Sequence, residues 1–580
     1  MNKNWSDRLD ESRIGLARPD ALLPLAVLGL LTGLLAGGVI ILFRLFVEGL
    51  QDGLLPGQGP ENYEALPLWA RFALPLLAAL LLAALFRWAA KGIHVLGVSR
   101  VMERMAYHQG RFETRAFFLQ FFGAAIAIIG GHSVGREGPH IFLGAASGSL
   151  LGQRLSLPHN VIRALVGCGT AAGIAASFNT PLAGVVFALE VVMMEYTVAS
   201  FIPVILAAVS ATALSRVVFG DDPAFVVPAM DMGSLHELIF VLLLGIAAGA
   251  VSAAFIHSVQ SIAHYARQIS IGTKMLIAGT GVGLVALVVP QVMGIGYDTV
   301  DLALNGQLAV GLLFLLLVTK LAATSLCIGL GVPGGMIGPA LFVGASLGAL
   351  AGELALWLPF GFDSNVGFFA LLGMGAMMSG SLQAPLAALV AMLELTDNPE
   401  IILPGMLAVV VAGVTASEVF GKDSLFITML RASGLNYATN PVYQALRRIG
   451  VGSVMDREVV QVSSSLSTNA AAEVLAFNPS YLLIEPEEQP AVVMPAVVLA
   501  RHLETLQSVG DEEKRIDLLL IPGERLRTGH IDLQANLQEA WELFERDGDE
   551  ALVVERITAP GATRVYGVLT PDTVEKSYRY

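Results

Sequence analysis

Residues 22–43 run without a charge between Asp20 and Arg44, long enough for a helix to cross a hydrocarbon core of about 30 Å. Further apolar runs lie at 72–86, between Arg71 and Arg87, and at 117–129, 202–214, 238–256, 275–292, 310–318 and 402–414. Several are too short to span, and many are broken by Gly or Pro. Short, interrupted apolar segments of this kind are what the discontinuous helices of transporters and channels look like. Beyond residue 440 the pattern changes. A linker with a short amphipathic piece at 436–450 leads to strand-like 459–462, helix-like 468–477 and strand-like 481–484. The same order returns with helix-like 533–546, strands at 551–554 and 565–569, and a helix from Pro571. This alternation predicts a small α/β pair of repeats at 451–580.

The apolar part also repeats. GPHIFLGAASGSLLGQ at 138–153 and GPALFVGASLGALAGE at 338–353 agree at 8 of 16 positions. Each is followed by a second shared phrase, FNTPLAGVVFALE around Pro181 and Glu190 and LQAPLAALVAMLE around Pro385 and Glu394. Pro139 precedes Pro181 by 42 residues, and Pro339 precedes Pro385 by 46. The predicted fold class is an all-α polytopic membrane protein of two repeat halves with broken helices, about 21–220 and 232–435, after a short segment 1–20 and before the α/β pair. Repeats of this kind commonly place a substrate site where they meet, near the bilayer midplane. Small-residue helix packing is the competing explanation of the glycine pattern.

Charge sharpens the division. Of 580 residues 14% are charged, against roughly 25% in ordinary soluble domains, and mean hydropathy is +0.68. Residues 451–580 hold 11 Lys and Arg and 22 Asp and Glu, so most of the net charge of −14 sits there. The rest has lipid as its solvent, the tail water. No basic face suited to nucleic acid is present. Cys168 and Cys327 lie in apolar runs and read as small hydrophobes, with no metal or disulfide role. The polar opening of about twenty residues argues against a cleaved secretory signal.

A carboxylate set among apolar runs costs on the order of 2.5–3.5 kcal/mol on insertion scales, which makes Glu137 of GREGP (135–139) the first functional candidate. A salt bridge to Arg136 is the alternative, disfavoured because neighbouring helical residues point about 100° apart. Gly138 and Pro139 match a helix start, whose free amides and dipole suit an anion or the Glu137 carboxylate itself. GVPGGMIGP at 331–339 repeats the device without the charge, with the amides of Met336 and Ile337 aimed at the same cavity. Two such helix starts would hold an anion weakly enough to release it.

GREGP, the PLAG phrase and GGMIGP resemble the CLC family of chloride channels and chloride/proton exchangers, over about residues 25–430. The tail resembles a pair of CBS domains, which many members carry on the cytoplasmic side. By this resemblance Glu137 is the external gate, with Gly135, Arg136 and Gly138 around it, and Met336 and Ile337 line the central anion site. Homodimerisation with one pore per subunit is implied in the same way, as is a multi-pass place in a bacterial inner membrane with the N-terminus and tail cytoplasmic.

The chain also departs from the family pattern. The family's G-S-G-I-P phrase should lie about 40 residues before GREGP, where Val95, Leu96, Gly97, Val98 and Ser99 stand. Leu96 replaces the chloride-coordinating serine and Ser99 the proline, while Gly97 and Val98 keep their places; a slip in register would bring Ser99 nearer the site. DSLFITML at 423–430 puts Phe426 on the pore tyrosine. With both hydroxyls absent, central anion binding is expected to be weak. Glu190 matches the first of two glutamates that exchangers carry after PLAG, and Val191 replaces the second, the inner proton acceptor. Glu195 is either a relay by another route or an interfacial residue beside Tyr196. In the tail, GVLTPDTVEK sets Asp572 one residue short of the nucleotide-binding spacing after Thr570, so adenine nucleotide binding is doubtful and a ligand-free regulatory role is the alternative.

These features predict passive, glutamate-gated conduction of chloride or another anion, opened by voltage or pH, with proton-coupled exchange as the alternative. No enzyme is expected: HExxH is absent, and the GxSxG matches at 131–135 and 344–348 lack the strand-then-helix setting of a nucleophile elbow. A cation pore would want rings of acids that the chain does not offer.

Overall fold

The computed structural model describes residues 11–578 apart from 12, 19–20, 58–60, 90–95, 196, 222–224, 226–233, 358–363, 397, 436–440, 487–489, 510–514 and 560–561. The chain forms two compact units, Leu23–Arg154 with Ile162–Tyr437, and Met1–Leu22 with Leu155–Val161 and Ala438–Tyr580. Val95 and Tyr196 lie outside the described residues.

The first unit is helical, and its order is run through twice. The first pass comprises α1 (Leu22–Leu54), α2 (Leu68–Ala89), α3 (Val98–Tyr107), α4 (Thr114–Ile129), α5 (Glu137–Arg154), α6 (His159–Phe178), α7 (Pro181–Phe187) and α8 (Val198–Phe219). The second comprises α9 (Glu237–Tyr265), α10 (Ile271–Ala286), α11 (Tyr297–Leu304), α12 (Val310–Gly329), α13 (Ile337–Leu356), α14 (Val366–Leu382), α15 (Pro385–Thr396) and α16 (Ile402–Val414), before α17 (Leu425–Ala432). Among the described residues eight helical spans are long and apolar enough to cross a membrane. The short ones, α3, α7, α11 and α15, are the broken segments that the Gly and Pro pattern announced. Polar side chains begin several helices: Ser270, Asn365 and Ser424 each accept the amide hydrogen bond three residues on.

The best-buried helices, α5 with α6 and α13 with α14, pack through glycine in both repeats. A Cβ on Gly169 would lie 2.0 Å from the carbonyl oxygen of Gly144, and one on Gly373 2.2 Å from that of Gly344. The alternating glycines thus let backbones touch and leave fully buried Phe142, Phe342, Phe368 and Phe369 packed among these helices.

The second unit holds a six-stranded sheet in the order β1-β3-β4-β6-β7-β8. Its strands are β1 (Val459–Val462), β3 (Tyr481–Ile484), β4 (Val492–Pro495), β6 (Leu526–Asp532), β7 (Ala551–Ala559) and β8 (Ala562–Leu569); β2 (Ser465–Ser467) and β5 (Arg515–Asp517) form a separate ribbon. β1 runs parallel to β3 and β3 antiparallel to β4; β6 runs parallel to β7 and β7 antiparallel to β8. With α20 (Thr468–Ala476), α21 (Ala496–Val509), α22 (Leu537–Asp547) and α23 (Pro571–Tyr578), each half reads strand, helix, strand, strand, helix. Asn536 and Glu539 form a reciprocal capping box on α22. The stretch expected as a linker forms α18 (Pro441–Arg447) and leads into α19 (Val451–Val454), and Leu446 and Val451 are buried in this unit's own core.

Candidate anion pathway

The two Gly-rich phrases meet backbone to backbone. Gly135 N donates to Gly335 O at 2.7 Å and Gly335 N to Gly135 O at 2.6 Å, an isolated antiparallel bridge. Glycine is required here, since a Cβ on Gly138 would stand 2.7 Å from Cα of Gly335. From this bridge α5 begins at Glu137, and α13 begins at Ile337 with Met336 as its N-cap residue. Two helix N-termini therefore converge on one buried place.

Glu137 is fully buried in it. Its Oε2 accepts from the amide of Gly338 at 3.0 Å, and its Oε1 from the hydroxyl of Tyr297. The carboxylate sits where these two donors converge. Arg136 is turned elsewhere: its guanidinium donates to Glu48 at 3.1 Å and lies 5.3 Å from the centre of the Tyr297 ring. The Arg136–Glu137 salt bridge considered from sequence does not form.

Tyr297 opens α11 behind Gly296, which adopts φ +82°. The Glu61 carboxylate accepts from the amides of Gly296 and Tyr297 at 3.2 and 3.4 Å, and the Tyr297 ring packs edge-on to Phe225, 4.8 Å between centres. Enclosure raises the Glu61 carboxyl above its ordinary value, against the lowering pull of Arg136.

A cavity of about 640 Å³ is lined by Gly334 and Met336 of the second phrase, by Leu96 and Ser99, and by the charged residues Arg100, Glu103, Arg267 and Lys274. Arg100 pairs there with Glu103 at 2.6 Å, and Arg267 donates to the Ala432 carbonyl at 3.1 Å. Leu96 lines this cavity and supplies no side-chain donor. Ser99 also lines it, and its hydroxyl donates to the Phe426 carbonyl at 3.2 Å. The Gly97 amide is held by Gln120 Oε1 at 2.7 Å, and Val98 starts α3. Phe426 is fully buried, its ring edge-on to Phe187. Ile337 lines a separate apolar pocket of about 30 Å³ with Phe178 and Phe187.

Glu190 has a definite task. Its two oxygens accept from the amides of Leu386 and Ala387 at 3.1 and 2.8 Å, and Glu394 does the same for Leu182 and Ala183 at 2.9 and 2.7 Å. Each repeat's glutamate caps the other repeat's PLA helix. Val191 beside it is buried. Glu195 accepts from Ser200. In the tail, Thr570 shares a 2.9 Å hydrogen bond with Thr573, and Asp572 pairs with Lys576 at 2.6 Å on exposed surface.

Sequence reasoning missed Tyr297, Gly338 and Glu61. A signal for Tyr297 existed: Gly97 precedes Gly135 by 38 residues and Gly296 precedes Gly335 by 39, so GY at 296–297 is the second repeat's copy of GV at 97–98.

A family model described as "Voltage gated chloride channel" matches residues 75–417. A ClcB-like protein of Ralstonia nicotianae, provisionally named a chloride channel protein, is 34% identical over 392 residues, 66% of this chain and 90% of that protein. The H(+)/Cl(−) exchange transporter ClcA of Vibrio cholerae is 30% identical over 420 residues, 70% of this chain and 88% of that protein. Among solved structures, a slow cyanobacterial Cl−/H+ antiporter superposes with TM-score 0.62 at 23% identity, covering 70% of this chain and 97% of its own. A eukaryotic CLC transporter gives 0.59 at 20% identity and covers 95% of this chain and 98% of its own. With the family match spanning more than half of the chain and the two repeats closing on a buried, amide-held carboxylate, this is a multi-pass membrane protein belonging to the CLC family of anion transporters.

Proposed function

We propose that the chain exchanges chloride, or another small monovalent anion, for protons, with one pathway in each subunit of a homodimer. The observation that carries this reading is the seat of the Glu137 carboxylate on the Gly338 amide and the Tyr297 hydroxyl. While ionised it competes with an anion for those donors; once protonated it loses the charge that holds it there, and the anion enters as the proton leaves with the side chain. The ClcA relatives named as exchangers support coupling over the passive channel expected from sequence.

A second reading, uncoupled anion passage, is favoured by Val191. Valine holds no proton, and the oxygens of neighbouring Glu190 are occupied by amides. Under the exchange reading Glu195 is the other carboxylate of this stretch through which protons reach the pathway from within. The double strand-helix-strand-strand-helix tail fits a CBS pair that regulates transport from the cytoplasmic side of a bacterial inner membrane. Thr570 and Asp572 are bound locally, which supports a role without nucleotide.

Purified protein in liposomes under a chloride gradient tests the reading. Exchange drives protons against their own gradient, and Glu137→Ala abolishes that proton movement while chloride still flows. Chloride flux with no proton movement in the wild type establishes the second reading, and absence of both fluxes overturns the two together.

A further inference from the structure

We propose that Tyr297 is an anion ligand of this pathway: its hydroxyl holds the Glu137 carboxylate while that group is seated and donates to the chloride that replaces it. The inference rests on the transport reading above and assigns the donor at its outer step.

The Tyr297 hydroxyl and the Gly338 amide are the two donors on the Glu137 carboxylate, one to each oxygen. Carboxylate and chloride are both acceptors without hydrogens to give, so one O–H serves either. Tyr297 does not depend on Glu137 for its place. Gly296 sets the turn into α11, Glu61 holds the amides of Gly296 and Tyr297, and the ring is enclosed by Phe225, Phe178 and the Arg136 guanidinium. When the carboxylate leaves, the hydroxyl stays, and a buried hydroxyl without an acceptor is costly. An anion arriving at Gly338 N supplies that acceptor.

The repeat explains the substitution pattern. Gly97 and Gly296 both take positive φ, +73° and +82°, and both begin short helices at the pathway. The first copy ends in Val98 beside Leu96, and α17 brings Phe426, so hydroxyls are missing from the places where the family pattern has them. The second copy ends in Tyr297, whose hydroxyl is at Glu137.

The charged groups around Glu137 and Tyr297 are Arg136, bound to Glu48, which also pairs with Arg44, and Glu61, with Asp298 and Lys320 acting on Glu61 and Glu64 from behind. None is altered by Tyr297→Phe, which keeps the ring and removes the O–H.

The test compares chloride binding by titration calorimetry in Glu137→Ala and Glu137→Ala/Tyr297→Phe. Loss of one hydrogen bond to an anion predicts about ten- to hundredfold weaker chloride binding in the double variant. In the otherwise native protein, Tyr297→Phe removes a donor that favours the ionised carboxylate, so the pH at which transport rises shifts upward and flux at neutral pH increases. Unchanged chloride affinity in the double variant overturns the proposal, as does an unchanged pH profile in Tyr297→Phe. A wild type that passes no chloride would instead defeat the transport reading, leaving the binding comparison to decide the role of Tyr297.

Discussion

At the scale of single residues the pathway is defined by one charge and several missing polar groups. Glu137 is the buried carboxylate at the helix junction, held by an amide and a hydroxyl with no cation bonded to it. Glu137→Gln removes the charge at constant size, and transport measured as chloride efflux is expected to lose its dependence on external pH; a retained dependence would place the sensor elsewhere. At the positions where the family resemblance expects hydroxyls, Leu96 and Phe426 offer no side-chain donor. Restoring both, as Leu96→Ser with Phe426→Tyr, is expected to tighten chloride binding about tenfold or more, since each hydrogen bond to a charged partner contributes about 1.5–3 kcal/mol before desolvation and packing losses. Calorimetry on the double variant decides it, and no gain would mean that backbone amides alone set the affinity. Glu137 was readable from the sequence because a charge in an apolar run declares itself. Tyr297 was not, because an aromatic residue near a membrane helix is ordinary until its hydroxyl is seen to meet something.

At the scale of elements the structure is held by helix ends. The PLA phrases looked like simple repeated starts, and the glutamates after them like candidates for proton transfer. Folded, Glu190 caps α15 and Glu394 caps α7, so the two repeats clasp each other through four amide hydrogen bonds. Glu394→Ala frees two donors at a helix N-terminus and is expected to destabilise the protein by about 1–2 kcal/mol, with Glu190→Ala close to it by symmetry. Thermal denaturation in detergent measures both, and a large loss for one with none for the other would show that the clasp is not shared equally. In the tail, Asn536→Ala removes the capping-box acceptor of α22 and is expected to cost about 1 kcal/mol. Strand and helix order there was legible from alternation. β4, α21 and β6 were not anticipated, because the 490s and 520s mix Pro with short apolar runs that carry neither period cleanly.

At the scale of the whole molecule, two solvents make two cores. The helical unit buries small residues and aromatics around the crossing of α5, α6, α13 and α14, while the tail has its own clusters around Leu446, Leu537 and Leu552 and around Leu482, Met494 and Leu499. Cores that share no buried residue are expected to melt separately, so circular dichroism in detergent should give two transitions, the tail's alone moving with urea at low concentration. A single transition would mean that the units unfold together. Duplication is the other feature at this scale: Glu137 and Gly338 lie in the first turns of α5 and α13, and Val98 and Tyr297 open α3 and α11.

The sequence by itself determined the lipid-facing and water-facing parts, the repeat, the helix starts at the two Gly-Pro pairs of 138–139 and 338–339, and the lack of a hydroxyl or carboxyl at Leu96, Val191 and Phe426. Each of these is carried by local residue chemistry: the transfer cost of a charge, the conformational limits of Gly and Pro, the presence or absence of a hydroxyl. Only the tertiary structure decided where the donors and acceptors point. It turned Arg136 to Glu48, gave Glu190 to the opposite repeat and set Tyr297 and Gly338 on the Glu137 carboxylate. These partners are 88 to 201 residues apart in the chain, and a hydrogen bond leaves no periodic trace along it.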